Sequence, residues 1–321
     1  MGTDWEPYRN HFDASTSFEF VLLNSVAGYE LGYGLSTFLV RALTENYSVY
    51  LVLHAAVFYH LIFRATERLS PFPLVSVLVF YALTIGVLGS SRQLMALSIC
   101  LCALPAVFDR RPFGFLLLVV AAALFHTSAL IFIVFYFLNR DIRPSVILGV
   151  LGCSVLIGYS PLPALVFERI GGLFGDIGAY KAAYYADNSN LGNVGLSVSG
   201  LVKRLLVLFL LMLGYRAIVD VFPKFRLLFN GYCFGLLIYF LFSNSLLIVV
   251  SRGSLYFNVM EAFLLPAFLI LLKTRIERYV AVFFILLYSL LIFYQGMSVY
   301  MDLFVPYQGV FINTDYRRQL Y

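Results

Sequence analysis

Residues 113–138 read FGFLLLVVAAALFHTSALIFIVFYFL, an apolar run of 26 residues interrupted by His126-Thr127-Ser128. A straight helix of this length would cross a membrane once, whereas a hairpin bent at His126 would enter and leave on the same side. The two arms of such a hairpin are short, so we expect them to lean on other helices or to line a water-filled cavity, where irregular backbone is tolerated. The topology of every later segment depends on this choice.

The rest of the chain is equally apolar. Of its 321 residues, 61% are hydrophobic and 12% are charged, and the mean hydropathy is +0.89, whereas a typical soluble protein carries about 25% charged residues. The net charge of +5 does not indicate nucleic-acid binding, because the basic residues are scattered between apolar runs and form no patch. We therefore predict an all-α integral membrane protein, a polytopic bundle of about ten transmembrane helices in a single domain over residues 1–321.

Several other segments reach or approach the roughly 20 apolar residues that a span requires. They are 47–63, 74–90, 92–108, 200–218, 227–250, 254–272 and 279–298. Residues 145–158 are short for a span. Segment 17–42 is apolar but contains Glu19, Glu30 and several glycines, and we interpret it as a re-entrant or interfacial helix, with a true span as the alternative.

The distribution of basic residues favours the hairpin. With a hairpin at 113–138, twelve basic residues fall in short loops on one side: Arg64, Arg68, Arg110, Arg111, Arg140, Arg143, Arg216, Lys224, Arg226, Lys273, Arg275 and Arg278. Nine fall in longer segments on the other side: Arg9, Arg92, Arg169, Lys181, Lys203, Arg204, Arg252, Arg317 and Arg318. Because the positive-inside rule counts short loops most heavily, the first side is predicted to be cytoplasmic. A straight helix would flip every later loop and nearly remove this bias.

This topology places four features on the non-cytoplasmic side of the membrane. They are the N-terminal segment 1–16, the turn 90–92, His126 and the loop 159–199. The loop is rich in Gly, Tyr, Asn and Asp, and it is long enough to act as a lid or as the wall of a binding site.

Two arginines, Arg92 and Arg252, lie at helix ends on this predicted outer face. Arg92 follows Ser90 and Ser91, a predicted N-cap, and a helix N-terminus beside a guanidinium forms an anion site. Gln93 could add a neutral hydrogen bond to a phosphate or a sugar. Two arginines at the outer face of the membrane could both bind one diphosphate. The alternative is that they snorkel to lipid headgroups.

Three side chains on the same side could accept or donate a proton. A lone histidine in an apolar stretch is commonly structural, but His126 coincides with the helix break and can titrate near neutral pH. Asp4 and Glu30 are carboxylates, the natural general bases for a hydroxyl nucleophile, although an acidic N-terminal segment is commonly a solvated tail. No metal-ligand spacing involves the cysteines Cys100, Cys102, Cys153 and Cys233, and we expect no metal and no cofactor.

Four short motifs occur in order along the chain: GTDWEPYRNHF, ELGYGLSTFL, SSRQLMAL and LFHTSALIF. Together they resemble the EpsG-type branch of the Wzy O-antigen and exopolysaccharide polymerases, with its patterns G-x-D-x-x-x-Y, E-x-G-[YF], R-Q-x-x-A and F-H-x-S-A. The matching residues are Gly2, Asp4, Tyr8, Glu30, Gly32, Tyr33, Arg92, Gln93, Ala96, Phe125, His126, Ser128 and Ala129. The later SRGSLYF and VPYQGVF are similar to further family regions, through Arg252, Tyr256, Pro306 and Tyr307.

The resemblance implies a multi-pass glycosyltransferase of the bacterial inner membrane that acts in lipopolysaccharide or exopolysaccharide biosynthesis. It would transfer the growing undecaprenyl-diphosphate-linked glycan onto a sugar hydroxyl of the next lipid-linked repeat unit, at the periplasmic face. The fold would be related to the lipid-carrier glycosyltransferases. The partners would be undecaprenyl-diphosphate-linked oligosaccharides and membrane lipids, with a chain-length regulator protein as a further candidate and no nucleic acid.

The resemblance and the chemistry of the residues together assign roles. The catalytic candidates are Asp4, Glu30 and His126, with Asp4 preferred as the base. The residues expected to hold the diphosphate, without a metal ion, are Arg92, Gln93 and Arg252. Those expected to contact the glycan are Tyr8, Tyr33, Ser128 and Tyr256.

Two other functional classes are alternatives. A lipid-linked oligosaccharide transporter or flippase would favour internal repeats and charged residues near the middle of the membrane, and the sequence shows neither. A membrane O-acyltransferase acting on surface polysaccharide also uses an intramembrane histidine. Its acyl donor is typically cytoplasmic, however, whereas His126 is predicted to lie outside.

Overall fold

The structure is a computed structural model that describes residues 5–173, 198–246, 249–298 and 301–306. Within these ranges it contains helices and no strand. Its internal contacts group the chain into two compact units, Met1–Tyr136 with Leu272–Tyr321, and Phe137–Leu271. Each unit is described by itself, and the single domain expected from the sequence stays a prediction.

The first unit contains nine α-helices in its described part, several of which begin at residues typical of helix starts. They are α1 (Trp5–Ala14), α2 (Phe18–Ala27), α3 (Leu31–Arg41), α4 (Tyr47–Leu69), α5 (Pro73–Thr84), α6 (Ser91–Phe108), α7 (Pro112–Ala123), α15 (Arg275–Ser298) and α16 (Met301–Phe304). Pro73 and Pro112 occupy the first positions of α5 and α7, where proline has no amide to leave unpaired. Asn46 caps α4 by accepting from the Ser48 amide at 2.9 Å.

The second unit contains six α-helices in its described part, and α8 (Phe135–Leu138) lies at the boundary between the units. The six are α9 (Pro144–Gly158), α10 (Leu162–Leu173), α11 (Val198–Val221), α12 (Lys224–Phe242), α13 (Leu255–Asn258) and α14 (Glu261–Ala267). A π-helical turn, Val249–Gly253, precedes α13.

Five helices among the described residues are long and apolar enough to cross a membrane, and a sixth span is present if one bent pair counts as a single span. The five are Tyr47–Leu69, Ser91–Phe108, Lys224–Phe242, Val249–Ile270 and Arg275–Ser298. On α15, Phe283 and Leu291 are 60% and 63% exposed, as expected of side chains that face lipid. The chain is therefore a helical membrane protein, and the predicted count of about ten spans is not confirmed.

The chain reverses direction at the predicted bend. His126 is the N-cap of a 3₁₀ helix, Thr127–Val134, that forms most of the second arm. The ring of Phe115, near the start of α7, packs on Phe132 and Tyr136 with centroid distances of 6.3 and 5.8 Å. In a straight helix, positions 115 and 132 would be about 25 Å apart, so the bend at His126 is confirmed, and the membrane topology inferred from it stays a prediction.

Segment 17–42 is broken into two short helices, α2 and α3, of 10 and 11 residues. Gly28 lies between them with φ of +121°, a backbone conformation that favours glycine. Neither helix is long enough to span a bilayer. The straight span weighed as an alternative is therefore absent, and the re-entrant or interfacial position stays a prediction.

Gly32 allows the start of α3 to approach the hairpin bend closely. The Gly32 amide donates to the Leu124 carbonyl at 2.7 Å, and the Tyr33 amide donates to the same oxygen at 3.3 Å. A Cβ atom at Gly32 would lie 2.8 Å from that oxygen and 2.9 Å from the Leu124 Cβ. The first amides of α3 thus bind a carbonyl at the end of α7, and this contact requires glycine.

We expect Gly32→Ala to destabilise the protein, because the added methyl group forces α3 away from the bend at a cost of about 1–3 kcal/mol. Thermal unfolding of the purified protein measures the effect. Gly114→Ala is the matched control, since a Cβ there meets nothing within 4 Å. Equal melting temperatures for the two variants would contradict the close approach.

The predicted loop 159–199 is helical where the structure describes its first part. Helix α10 follows α9 after a sharp turn, and Pro144–Gly158 and Leu162–Arg169 are bent by 86°. Residues 174–197 of this loop lie outside the described residues. The proposal that the loop acts as a lid or a wall therefore stays a prediction.

Candidate active site

The side chain of Arg92 is the centre of a cluster of polar and aromatic residues in the first unit. Arg92 is the second residue of α6, so the helix begins where the sequence predicts. The predicted capping by serine is wrong: Ser90 is at the N-cap position with φ −86° and ψ 58°, and its side chain makes no capping hydrogen bond. The Arg92 side chain is 19% exposed, which leaves its guanidinium within reach of solvent.

Arg92 forms an ion pair with Glu30, the N-cap residue of α3. The Arg92 Nη1 lies 2.6 Å from the Glu30 Oε2 and also donates to the Gly28 carbonyl at 2.8 Å. The Glu30 side chain is 14% exposed, so the pair is largely removed from water and its charge-assisted hydrogen bond is strong. The Gly28 carbonyl and the Glu30 carboxylate therefore both bind the Arg92 guanidinium at the start of α6.

The second carboxylate oxygen of Glu30 contacts the hairpin bend. The Thr127 amide donates to the Glu30 Oε1 at 3.1 Å, and the Thr127 hydroxyl lies 3.5 Å from the same atom. Both oxygens of Glu30 are therefore occupied. The carboxylate therefore joins Arg92, at the start of α6, to the hairpin bend.

Three tyrosine rings, Tyr8, Tyr29 and Tyr33, surround the Arg92 guanidinium, and we call them the tyrosine cage. The Arg92 Cζ lies 4.8 Å from the ring centroid of Tyr29, 5.6 Å from that of Tyr8 and 5.8 Å from that of Tyr33. The Arg92 Nε also donates to the Tyr8 hydroxyl at 3.5 Å. Cation–π contact with several rings favours the charged guanidinium and restricts its orientation.

His11 packs behind the tyrosine cage. Its imidazole stacks on Tyr29 with a centroid distance of 4.1 Å and an interplanar angle of 14°, and the residue is 4% exposed. Burial, and then the positive charge of Arg92, lower the pKa of His11 from its ordinary value to about 4. The imidazole is therefore neutral at physiological pH, because burial disfavours its charged form and Arg92 would repel a second positive charge.

We expect the stability of the protein to fall as the pH is lowered from 6.5 towards 4. In this window the unfolded chain binds a proton at His11 and the folded chain does not, so the free energy of unfolding decreases with decreasing pH. Below about 4 both states are protonated and this contribution levels off. Melting curves between pH 7 and 4.5 measure the effect, and His11→Gln should show a shallower dependence than the wild type. An identical dependence in the variant would contradict the burial of a neutral imidazole.

His126 is held by its own neighbour at the start of the 3₁₀ helix. Its Nδ1 accepts from the Ser128 amide at 3.3 Å and lies 2.7 Å from the Ser128 hydroxyl. Since a backbone amide can only donate, Nδ1 is the unprotonated nitrogen and Nε2 carries the ring proton. These contacts orient the ring at the bend, and the catalytic role of His126 stays a prediction.

The structure brings together four of the residues predicted from the sequence: Tyr8, Glu30, Tyr33 and Arg92. Two more, His126 and Ser128, flank the threonine that binds Glu30. Gln93 follows Arg92 and is 3% exposed. Asp4, the preferred catalytic candidate, lies outside the described residues, as do Gly2 and Tyr307, and its role stays a prediction.

Arg252 and Tyr256 belong to the second unit. Arg252 is exposed in the π-helical turn Val249–Gly253, as expected of a residue that meets phosphate or lipid headgroups. Tyr256 is 0% exposed, and its ring packs inside the unit. The diphosphate role of Arg252 and the glycan role of Tyr256 stay predictions.

Four contributors to the cluster were not predicted as site residues: His11, Gly28, Tyr29 and Thr127. His11 lies three residues after Tyr8, on the same face of α1, and this helical spacing could have indicated it. Tyr29 directly precedes the motif glutamate Glu30. Gly28 and Thr127 contribute backbone groups, for which side-chain patterns carry no signal.

No group of three or more His, Cys, Asp or Glu residues with metal-binding geometry occurs within the described ranges. The cationic group that the cluster offers is the Arg92 guanidinium. None of the hydrogen bonds that Arg92 makes with the described residues involves Nη2, so this nitrogen can donate to an anionic ligand.

Comparison with curated proteins and with solved structures finds no match for this chain. The sequence model of the EpsG family, by contrast, matches residues 1–309. This match covers all four motifs, and it confirms the resemblance seen in the sequence. The chain belongs to the EpsG family.

Proposed function

We propose that this protein is a polysaccharide polymerase. It transfers a growing glycan from undecaprenyl diphosphate onto a sugar hydroxyl of the next lipid-linked repeat unit, at the periplasmic face of a bacterial inner membrane. Family membership supports a polymerase-like role. The observation that carries the proposal is the caged Arg92, a fixed cation at a helix start, joined through Glu30 to the hairpin bend.

In the proposed reaction, the bond between the anomeric carbon and the diphosphate oxygen breaks, and the diphosphate leaves with the electron pair. The developing negative charge needs preorganised positive charge. Arg92 supplies it through Nη2, while Nη1 stays bound to Glu30 and Gly28 and the tyrosine cage holds the guanidinium in place. Arg252 is the proposed second arginine, and Gln93 a proposed neutral donor.

The acceptor hydroxyl must lose its proton as the new glycosidic bond forms. We propose Asp4 as the carboxylate that accepts this proton, with Glu30 as the runner-up. Glu30 is already occupied by Arg92 and Thr127, which suits a residue that positions the arginine. A diphosphate that draws Arg92 away would free one Glu30 oxygen, and this is the route by which Glu30 could act as the base.

The tyrosines of the cage differ in how much of each side chain a glycan could reach. Tyr8 and Tyr33 are buried at 7% and 0% exposure, and their rings pack on each other and on Arg92. Tyr29 is half-buried, and we propose that the exposed part of its side chain is a further contact for the glycan. Ser128 supports His126, whose Nε2 proton would orient the acceptor.

The test is a reconstituted assay with the purified protein in lipid and a chemically defined lipid-linked repeat unit. We expect a ladder of polymer lengths on a gel, and we expect the ladder to persist when EDTA is present, because the arginines stabilise the leaving group without a divalent ion. Loss of the ladder with EDTA and recovery with Mg²⁺ would contradict metal independence. Movement of the repeat unit across the bilayer without elongation would contradict the polymerase itself and support a flippase.

A further inference from the structure

The first unit contains a cavity on α4, remote from the tyrosine cage. It has a volume of about 370 Å³ and is lined by His60, Leu61, Arg64, Ala65, Arg68 and Cys102. These residues lie in the second half of α4 and near the middle of α6. Neither the proposed reaction nor the family motifs use them.

The polar lining of this cavity is cationic. His60, Arg64 and Arg68 follow one another at intervals of four residues, which places them on one face of α4 with neighbouring Cβ atoms roughly 6 Å apart. The lining includes no carboxylate. Two guanidinium groups at this separation can both donate to one phosphate, whose oxygens match the guanidinium fork.

The position of the cavity along α4 corresponds to the opposite boundary of a bilayer. The ring of Tyr50, near the start of α4, packs edge-on against Tyr33 of the tyrosine cage with a centroid distance of 6.2 Å. From Tyr50, Arg64 is about 21 Å and Arg68 about 27 Å further along the helix axis. A bilayer core is about 30 Å thick, so the two arginines lie near the depth of the headgroups on the face opposite the candidate active site.

We propose that this cavity is a phosphate-binding site that takes the headgroup phosphate of an anionic membrane lipid. Headgroup phosphate is the phosphate chemistry present in quantity at this depth, and basic pockets between helices bind such headgroups. Arg64 and Arg68 line this cavity together with the Cys102 thiol, so the two side chains border one volume in which a single phosphate can meet both of them. The bound lipid would fix the depth of α4, whose other end supports the tyrosine cage.

Cys102 provides a native reporter for this site. Its Sγ lines the cavity and lies 3.4 Å from the Leu61 carbonyl. Cys100 and Cys233 are buried, so replacing the exposed Cys153 with serine leaves Cys102 as the accessible thiol. A ligand in the cavity would cover this sulfur and slow its alkylation.

The experiment compares alkylation of Cys102 in full-length Cys153→Ser protein in three kinds of nanodisc. One contains phosphatidylcholine, one contains phosphatidylcholine with phosphatidylglycerol, and one contains phosphatidylcholine with added inorganic diphosphate. We expect phosphatidylglycerol to slow alkylation several-fold, and we expect Arg64→Gln with Arg68→Gln to remove the slowing. Arg275→Gln, a change at an exposed helix start of the same unit, should keep it.

Equal rates in all three nanodiscs, or slowing that persists without Arg64 and Arg68, would overturn the proposal. Slowing by inorganic diphosphate alone would overturn the assignment to lipid and support a soluble phosphate ligand in the same cavity. The alkylation rate of Cys102 does not depend on glycan transfer. The experiment therefore tests the lipid site whether or not the protein is a polymerase.

Discussion

Replacing Arg92 by lysine is expected to reduce polymer formation by about 10²–10³-fold while the protein accumulates normally. Lysine keeps the positive charge but loses the planar fork, which in the structure donates to Glu30 and Gly28 through one nitrogen and to Tyr8 through another. An ammonium cannot hold these partners and also donate to a diphosphate. Polymer yield per amount of protein, in cells and in the reconstituted assay, measures the effect.

A matched control separates this role from general effects of an arginine change. Arg41 is also ion-paired, with Glu45 at 3.1 Å, and its guanidinium lies 6.0 Å from the ring centroid of Phe12. Arg41→Lys changes another ion-paired arginine beside an aromatic ring in the same unit and should leave polymer formation near the wild-type level. Full activity of Arg92→Lys and Arg92→Ala would exclude the diphosphate role.

Exchanging the two partners distinguishes a structural ion pair from a catalytic arginine. Arg92 and Glu30 are both largely buried, so losing one partner leaves an uncompensated charge and lowers stability. The double variant Arg92→Glu with Glu30→Arg restores opposite charges. We expect it to recover part of the melting temperature lost in Arg92→Glu but none of the activity, because the cation no longer lies at the start of α6. Recovery of both properties would reduce Arg92 to a structural residue.

The second large effect is expected from Asp4→Asn, which should lower polymer formation by about 10²–10⁴-fold while lipid-linked repeat units still bind. The substitution keeps the shape of the side chain and removes the proton acceptor. A carboxylate near the reacting carbon also stabilises the oxocarbenium-like charge that develops as the diphosphate leaves. Single-turnover assays with a bound, labelled repeat unit measure the loss separately from binding.

Glu30→Gln and His126→Ala are the comparison variants, and each has a distinct expected result. Glu30→Gln loses the ion pair, so we expect lower stability together with weaker binding of the donor. His126→Ala loses the Nε2 donor, so we expect weaker use of the acceptor. Normal polymerisation by Asp4→Asn would transfer the role of base to whichever of the other two variants is inactive with its substrates still bound.

Several features followed from sequence patterns because their causes are local. The apolar run 113–138 indicated a bend at His126, and the structure places an N-cap there. Helix α6 also begins at the predicted position, around Arg92. The order of the four motifs also identified the family. Periodicity and composition constrain such features directly, since they involve neighbours in the chain.

The tertiary structure decided how these elements combine into a site. Arg92 and Glu30 are 62 residues apart, and Glu30 and Thr127 are 97 apart, so no local pattern could pair them. The predicted serine cap failed for the same reason: the cluster around the start of α6 is built by α1, α3 and the bend rather than by the residues just before the helix. Tyr29 and His11 became part of the site only through packing on a distant guanidinium. Local sequence therefore determined where helices begin, bend and end. The burial of the Arg92 guanidinium among helices that are distant in the chain determined which residues surround it.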